Sequence, residues 1–219
     1  MRARRALQVT GEGLITLGVL VLLFVGYLLF WTDVRANASA HSVIDDIRHD
    51  WSTSAPKPVA TARPGHAITS GFALMSIPRL GASWLEPVIE PAATIITSDE
   101  LAQGVVHYKG TALPGAIGNF AVAGHRKTHG EPFLHMDEIR PGDKIVVETQ
   151  TAFFTYVVDN DPNATIVRPT DVWVIDPVPG HPGARPTQAL ITLTTCNPWW
   201  NSSMRMIVFG HLVSKAAKA

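Results

Sequence analysis

The sequence predicts an all-β domain, a sandwich or a closed barrel with short helices, carried behind one N-terminal membrane-spanning helix. Three observations point there. From residue 73 onward, short runs rich in β-branched and aromatic residues alternate with Gly, Pro, Asn and Asp at close spacing. Helix-period patterns between those runs are brief, which argues against a parallel α/β sheet. Ahead of them, residues 14–30 form an uncharged apolar run interrupted only by Thr16, Gly18 and Gly26. A chain of 219 residues suits one globular domain with appendages and is long enough for a sizeable core. Lys plus Arg and Asp plus Glu each number 18, so no global field argues for nucleic acid or another polyanionic partner.

Residues 1–13 read as a basic cytoplasmic tail, with Arg2, Arg4 and Arg5 ahead of the apolar run. At a rise of about 1.5 Å per residue, residues 14–31 come close to the roughly 30 Å hydrocarbon core of a bilayer. The arginines keep the N-terminus inside, Tyr27 and Trp31 fall where an outer aromatic belt lies, and the rest of the chain is extracytoplasmic. The competing reading is a cleaved signal, since Ala36-Asn37-Ala38 and Ala38-Ser39-Ala40 have the small-x-small pattern. The run exceeds the h-region length of about 7–15 residues, which favours an uncleaved anchor. Both readings export the domain, where a lone thiol is sensible because a second would invite a disulfide.

Residues 32–69 read as an extracytoplasmic linker. Within it Val43, Ile44, Ile47 and Trp51 have the spacing of a short amphipathic helix near the membrane surface, and residues 55–65, APKPVATARPG, suit an extended spacer. Residues 70–214 form the domain. Its expected strands are 73–77, 86–90, 120–123, 144–149, 153–159, 164–167, 172–175, 189–195 and 204–212, with a helical turn near Asp99 and Glu100. Residues 215–219 are left as a tail.

Candidate chemistry gathers at the last two strands. Cys196, the single cysteine, ends an apolar β-branched run and is followed by the turn-forming Asn197-Pro198. Arg205 is embedded in MRMIVF, where an unpaired guanidinium is costly to bury, so it needs an anionic or polar partner. The connection between them lets the two strands return side by side, bringing a nucleophile and a cation together. On residue types alone Cys196 also reads as a small core hydrophobe and Arg205 as an edge-strand side chain reaching solvent. His125 follows strand-like residues 119–123 and Gly124 and precedes a polar loop, which places it at a strand end. His125 and His129 are not expected to form a metal pair: Gly124 and Gly130 oppose a helix that would align both rings, and no carboxylate or thiol completes a set at familiar spacing. No metal and no cofactor are expected.

The string TLTTC at residues 192–196, followed by Arg205, resembles the Thr-Leu-x-Thr-Cys…Arg signature of sortases. NFAVAGHRKTHGEP at 119–132 resembles the segment that carries the sortase histidine, here His125. IPRLG at 77–81, GTALPG at 110–115, IRPGD at 139–143 and PTDVWVIDP at 169–177 extend the likeness in family order over about residues 75–213. The spelling most resembles class E sortases of high-GC Gram-positive bacteria. The resemblance implies a sortase-like closed β-barrel and a cysteine transpeptidase. Its thiol, Cys196, attacks a C-terminal sorting signal of LPXTG or LAXTG type between Thr and Gly. His125 protonates the leaving amine and later deprotonates the incoming one, while Arg205 or a backbone N–H stabilises the oxyanion. The implied partners are exported proteins carrying that signal and an amine of the peptidoglycan precursor or of a pilin.

Thr194, Thr195, Asn197 and His129 are the implied substrate-binding residues, and residues 176–188 stand where the family's recognition loop occurs. Two departures bear on substrate preference: Asn197-Pro198 stands where class E relatives usually have His-Pro, and His129 where they tend to have Tyr. Trp199 and Trp200 read as a groove wall or as packing under a loop. An L,D-type cysteine transpeptidase would show Ser-His-Gly-Cys around its nucleophile, and this chain does not. The alternative is a catalytically inactive exported β-domain that binds cell-wall or partner proteins.

Overall fold

The protein is described by a computed structural model over residues 2–55, 70–127 and 130–218, side chains of residues 2–10, 28–34 and 70 excepted. Nine strands follow the long helix α1 (Arg2–Thr53). They are β1 (Ser70–Ser76), β2 (Leu85–Glu90), β3 (Val105–His107), β4 (Gly118–Ala123), β5 (Lys144–Glu148), β6 (Ala152–Val158), β7 (Ile166–Val167), β8 (Ala189–Asn197) and β9 (Met204–Ala217). Their order is β6-β5-β1-β2-β3-β4-β8-β9-β7, and β6 also pairs with β9. That extra pairing closes eight strands into a barrel, with β7 and β6 sharing the second edge of β9. Closure removes the open edges that make flat sheets aggregate.

Alternation explains which side chains fill the barrel. In β6, Ala152, Phe154, Tyr156 and Val158 are buried while the residues between them are half-buried, as a two-residue period requires. They meet Phe120, Val122, Ile191, Leu193, Met206 and Val208 in one core. Each large apolar side chain so buried contributes about 1.5–3 kcal/mol relative to exposure. β8 is buried on five consecutive residues because loop residues cover its outer face as well. There Trp173 lies 6.1 Å from Phe209, ring to ring, and Asn119 Nδ2 donates to the carbonyls of Val174 and Asp176.

Several short elements differ from the sequence expectation. Residues 172–175 are a 3-10 turn and not a strand: Arg168 N–H donates to the Asp171 carboxylate at 2.8 Å, bending the chain between Pro169 and Pro177. Of residues 164–167 only Ile166 and Val167 pair with β9, because Pro162 starts a 3-10 turn that ends at Ala164. The helical turn near Asp99 and Glu100 is α2 (Ser98–Leu101), held by a capping box between Thr97 and Glu100. β3 was not expected; three residues carry no readable period. β9 runs past Leu212 to Ala217, pairing Ala216 and Ala217 with Phe153 and Ala152.

The expected linker is helical as far as Thr53, and its amphipathic segment packs on the barrel instead of standing apart near a membrane. Ile44 and Ile47 are buried on Leu74, with Val43, Trp51 and Leu85 around them. Gly71 makes room for this: a Cβ there would lie 2.4 Å from Ile47 Cδ1. Most of the proline-rich spacer, residues 56–65, lies outside the described residues. Among the described residues no helix is long and apolar enough to cross a membrane, the described side chains of the expected anchor ending at Tyr27. Within that stretch Leu14, Leu17, Leu20, Leu22 and Phe24 are all exposed, Leu22 at 73%.

Candidate active site

The candidate thiol is placed by two strand pairings. β8 lies antiparallel to β9 with Cys196 directly opposite Arg205 and Leu193 opposite Val208. Leu193 and Val208 face the core, so the two-residue period turns Cys196 and Arg205 together onto the outer face of the barrel. Cys196 is half-buried, so the core does not seal it. Arg205 is half-buried too, and its Nη1 donates to the carbonyls of Ser202 and Met204 at 2.8 and 2.9 Å. These bonds fix the guanidinium in the turn and occupy only one of its nitrogens.

β4 brings the histidine. It runs parallel to β8 with Ala123 beside Thr194, and the ladder continues as Gly124 N–H donates to the Thr194 carbonyl at 3.1 Å. Thr195 then donates its hydroxyl to the Gly124 carbonyl at 2.8 Å. The next residues, His125 just past the end of β4 and Cys196 near the end of β8, therefore stand at the same level on neighbouring strands. The His125 carbonyl accepts from Phe133 N–H at 3.0 Å, which closes the following loop back on its start.

The proposed substrate contacts separate into different jobs. Thr195 is buried and spends its hydroxyl on the main chain entering His125. Thr194, also buried, donates to the Val122 carbonyl at 3.3 Å. Asn197 is half-buried and accepts a hydrogen bond from Arg126 Nη1 through its side-chain oxygen. His129 lies outside the described residues. Trp199 and Trp200 are exposed and edge-to-face, with Lys127 Nζ 4.0 Å above the Trp199 ring.

Two residues join the site that the sequence reading did not single out. Tyr108 follows β3 and reaches across β4, its hydroxyl 2.9 Å from Thr194 Oγ1. Thr194 also reaches the Val122 carbonyl, and in its pair with the phenol either hydroxyl can donate. Burial raises the Tyr108 pKa, the Cys196 charge pushes the same way, and Arg205 and the bond to Thr194 oppose them. The phenol is thus protonated at neutral pH. Arg126 is only 6% exposed and bridges Asn197 to Asp137, whose carboxylate it meets at 2.9 Å. It ties the residue after Cys196 to the residue after His125. The one available signal was a charge placed directly behind His125 in GHR.

A closed barrel that sets Cys196 opposite Arg205, with His125 just past the neighbouring strand, is a thiol-centred architecture suited to acyl transfer. The chain belongs to the sortase family, whose Sortase domain model matches residues 75–213. It is 42% identical to sortase SrtE1 of Streptomyces coelicolor over 98% of its own length, and it spans 59% of the length of that relative. Sortase SrtE2 of the same organism is 32% identical over 96% of this chain and 83% of the relative. Among solved structures, sortase E from Streptomyces avermitilis superposes with a TM-score of 0.58 at 45% identity, covering 67% of this chain and 90% of that one. Sortase E1 from Streptomyces coelicolor, solved with a tripeptide in its active site, superposes at 0.56 with 42% identity over 67% of this chain and 90% of that one.

Proposed function

We propose that this protein is a membrane-anchored cysteine transpeptidase that cleaves a C-terminal sorting signal of LPXTG or LAXTG type. It would then join the new Thr carboxyl end to an amine of the peptidoglycan precursor or of a pilin. The observation that carries this reading is the direct opposition of Cys196 and Arg205 across β8 and β9, with His125 leaving β4 beside them. The tripeptide held in the Streptomyces coelicolor relative supports a peptide groove at the same place.

The Cys196 thiolate attacks the carbonyl carbon of the Thr–Gly bond, and the charge that develops on oxygen falls to Arg205. His125 gives its proton to the departing Gly amine, leaving a thioester between Cys196 and the Thr. The same ring takes a proton from the incoming amine, whose attack breaks the thioester, expels the Cys196 thiolate and restores the protonated His125. Asn197 borders the peptide path, and the loop 176–188 covers its approach. Arg2, Arg4 and Arg5 and the exposed apolar face of α1 support an anchor with its N-terminus cytoplasmic and the barrel outside.

The full chain in detergent, given a library of sorting-signal peptides and an amine acceptor, tests reaction and preference together by mass spectrometry. Cleavage between Thr and Gly with amine addition is expected. Cys196→Ala abolishes it, and His125→Ala and Arg205→Ala each slow it by about 10²–10⁴-fold with the circular dichroism of the barrel retained. Undiminished turnover in any of the three overturns the assigned roles. Peptide binding without cleavage by the unaltered chain favours the inactive binding domain.

A further inference from the structure

We infer that the end of the barrel carrying Cys196 faces the bilayer, so that α1 holds the site close to the headgroups. The inference rests on the proposed anchoring of α1 and adds a direction to it. The strand pairings define the two ends. β2 and β9 begin, and β4 and β8 finish, at the end that holds Cys196, Arg205 and His125. β1 begins and β9 finishes at the opposite end, where Ala217 pairs with Ala152.

Followed backwards, α1 crosses the barrel from the far end to the site end. Trp51 lies 4.3 Å beneath Lys218 Nζ, and the Ser54 carbonyl accepts from Gln150 Nε2 at 3.0 Å, both at the far end. Ile47 and Val43 touch Gly71 at the start of β1, and Ile44 lies on Leu74 further along. Ala36, 5% exposed, and Asn37 reach Gly130, where a Cβ would come within 3.4 Å of Ala36 Cβ and 3.3 Å of Asn37 Oδ1. Gly130 belongs to the loop that leaves β4 through His125. The part of α1 before Ala36 therefore projects beyond the site end.

The projecting part is the apolar part. α1 is one helix from Arg2 to Thr53, and no proline interrupts it. At about 1.5 Å per residue, Trp31 stands only about 8 Å and Tyr27 about 14 Å beyond Ala36. Exposed Leu14, Leu17, Leu20, Leu22 and Phe24 lie around several faces of that segment, a distribution that suits lipid better than a protein groove. A separate feature marks the same end of the barrel. Trp199 and Trp200, 46% and 69% exposed, sit with Lys127 in and beside the β8–β9 turn, the aromatic and cationic pairing found at headgroup level. The partner of this surface is a phospholipid bilayer, and membrane-held substrates would meet the thiol without leaving it.

Energy transfer to headgroup-labelled lipid tests the orientation. Cys196 is the only cysteine, so a Cys196→Ala background accepts a single dye at Trp200→Cys or Ser203→Cys on the site end, or at Thr151→Cys on the far end. With the full chain in phosphatidylcholine–phosphatidylglycerol vesicles, transfer from positions 200 and 203 is expected to exceed that from 151 severalfold. The two ends stand about 30 Å apart along a tilted barrel. Equal transfer, or greater transfer from 151, in vesicle-bound protein overturns the orientation and leaves the anchor intact. Failure to float with the vesicles overturns the anchor and, with it, the orientation.

Discussion

Glu86 sits in β2 at the edge of a cavity of about 190 Å³ lined also by Leu80, Trp84, Leu134, Glu131 and His135, and it makes no hydrogen bond or ion pair among the described residues. Burial pushes its pKa up from an ordinary 4.5 to about 7. The folded protein therefore holds this proton more tightly than the unfolded chain does. The resulting cost to stability is absent below about pH 4.5, grows as pH rises, and is complete above about pH 7. Glu86→Gln is expected to stabilise the fold by up to about 3 kcal/mol at pH 8 and scarcely at all at pH 4. Urea midpoints at both values check this; an equal gain at both would assign the effect to packing. Arg126 makes the opposite case. Its removal leaves the half-buried Asn197 oxygen without its partner while Asp137, 44% exposed, turns to water, so Arg126→Ala is expected to cost about 1–3 kcal/mol and to slow alkylation of Cys196. Arg126→Lys, which keeps the charge without the planar fork, should fall between the two in urea unfolding and in iodoacetamide labelling.

At the scale of elements, the docking of α1 turns on one missing side chain. A Cβ on Gly71 would lie 2.4 Å from Ile47 Cδ1 and 2.9 Å from Val43 Cγ1. Gly71→Val is expected to lift residues 43–51 from the barrel, read as faster amide exchange across that segment and unchanged exchange in β8. Protection equal to that of the unaltered protein would mean the helix is held elsewhere. The seating of this helix was half legible in the sequence: Val43, Ile44, Ile47 and Trp51 announce an apolar face, but nothing local says that a strand and not a membrane receives it. β8 and β9 were legible because both are long and β-branched and are joined by a short turn, which left Cys196 and Arg205 little choice but to approach. His125 was not readable in that way. Its place depends on a parallel pairing of β4 with β8 across some seventy residues, which leaves no period behind, and only the family resemblance located it. Tyr108 was hidden for a related reason, since the strand before it is three residues long.

At the scale of the whole molecule, the barrel exists because β9 pairs on both edges. Seven rungs join it to β6, from Val158 opposite Gly210 to Ala152 opposite Ala217. The last three of these, with the 2.9 Å bond from Lys218 N–H to the Thr151 carbonyl and the contacts of Lys218 with Glu148 and Trp51, belong to residues 215–218. Deleting residues 215–219 removes several net hydrogen bonds at about 0.5–1.5 kcal/mol each, or about 3 kcal/mol together. For a domain of this size the melting temperature should fall by about 6–12 °C. The four remaining rungs lie nearer the site end, so the barrel stays closed around Cys196 and the register with Arg205 is untouched. Calorimetry should show one cooperative transition at the lower temperature, while the alkylation rate of Cys196 at 25 °C stays within about twofold of the full chain. A labelling rate that rises as the melting temperature falls would mean that closure at the far end holds the site together. The barrel would then act as one tensioned ring and not as two separable ends.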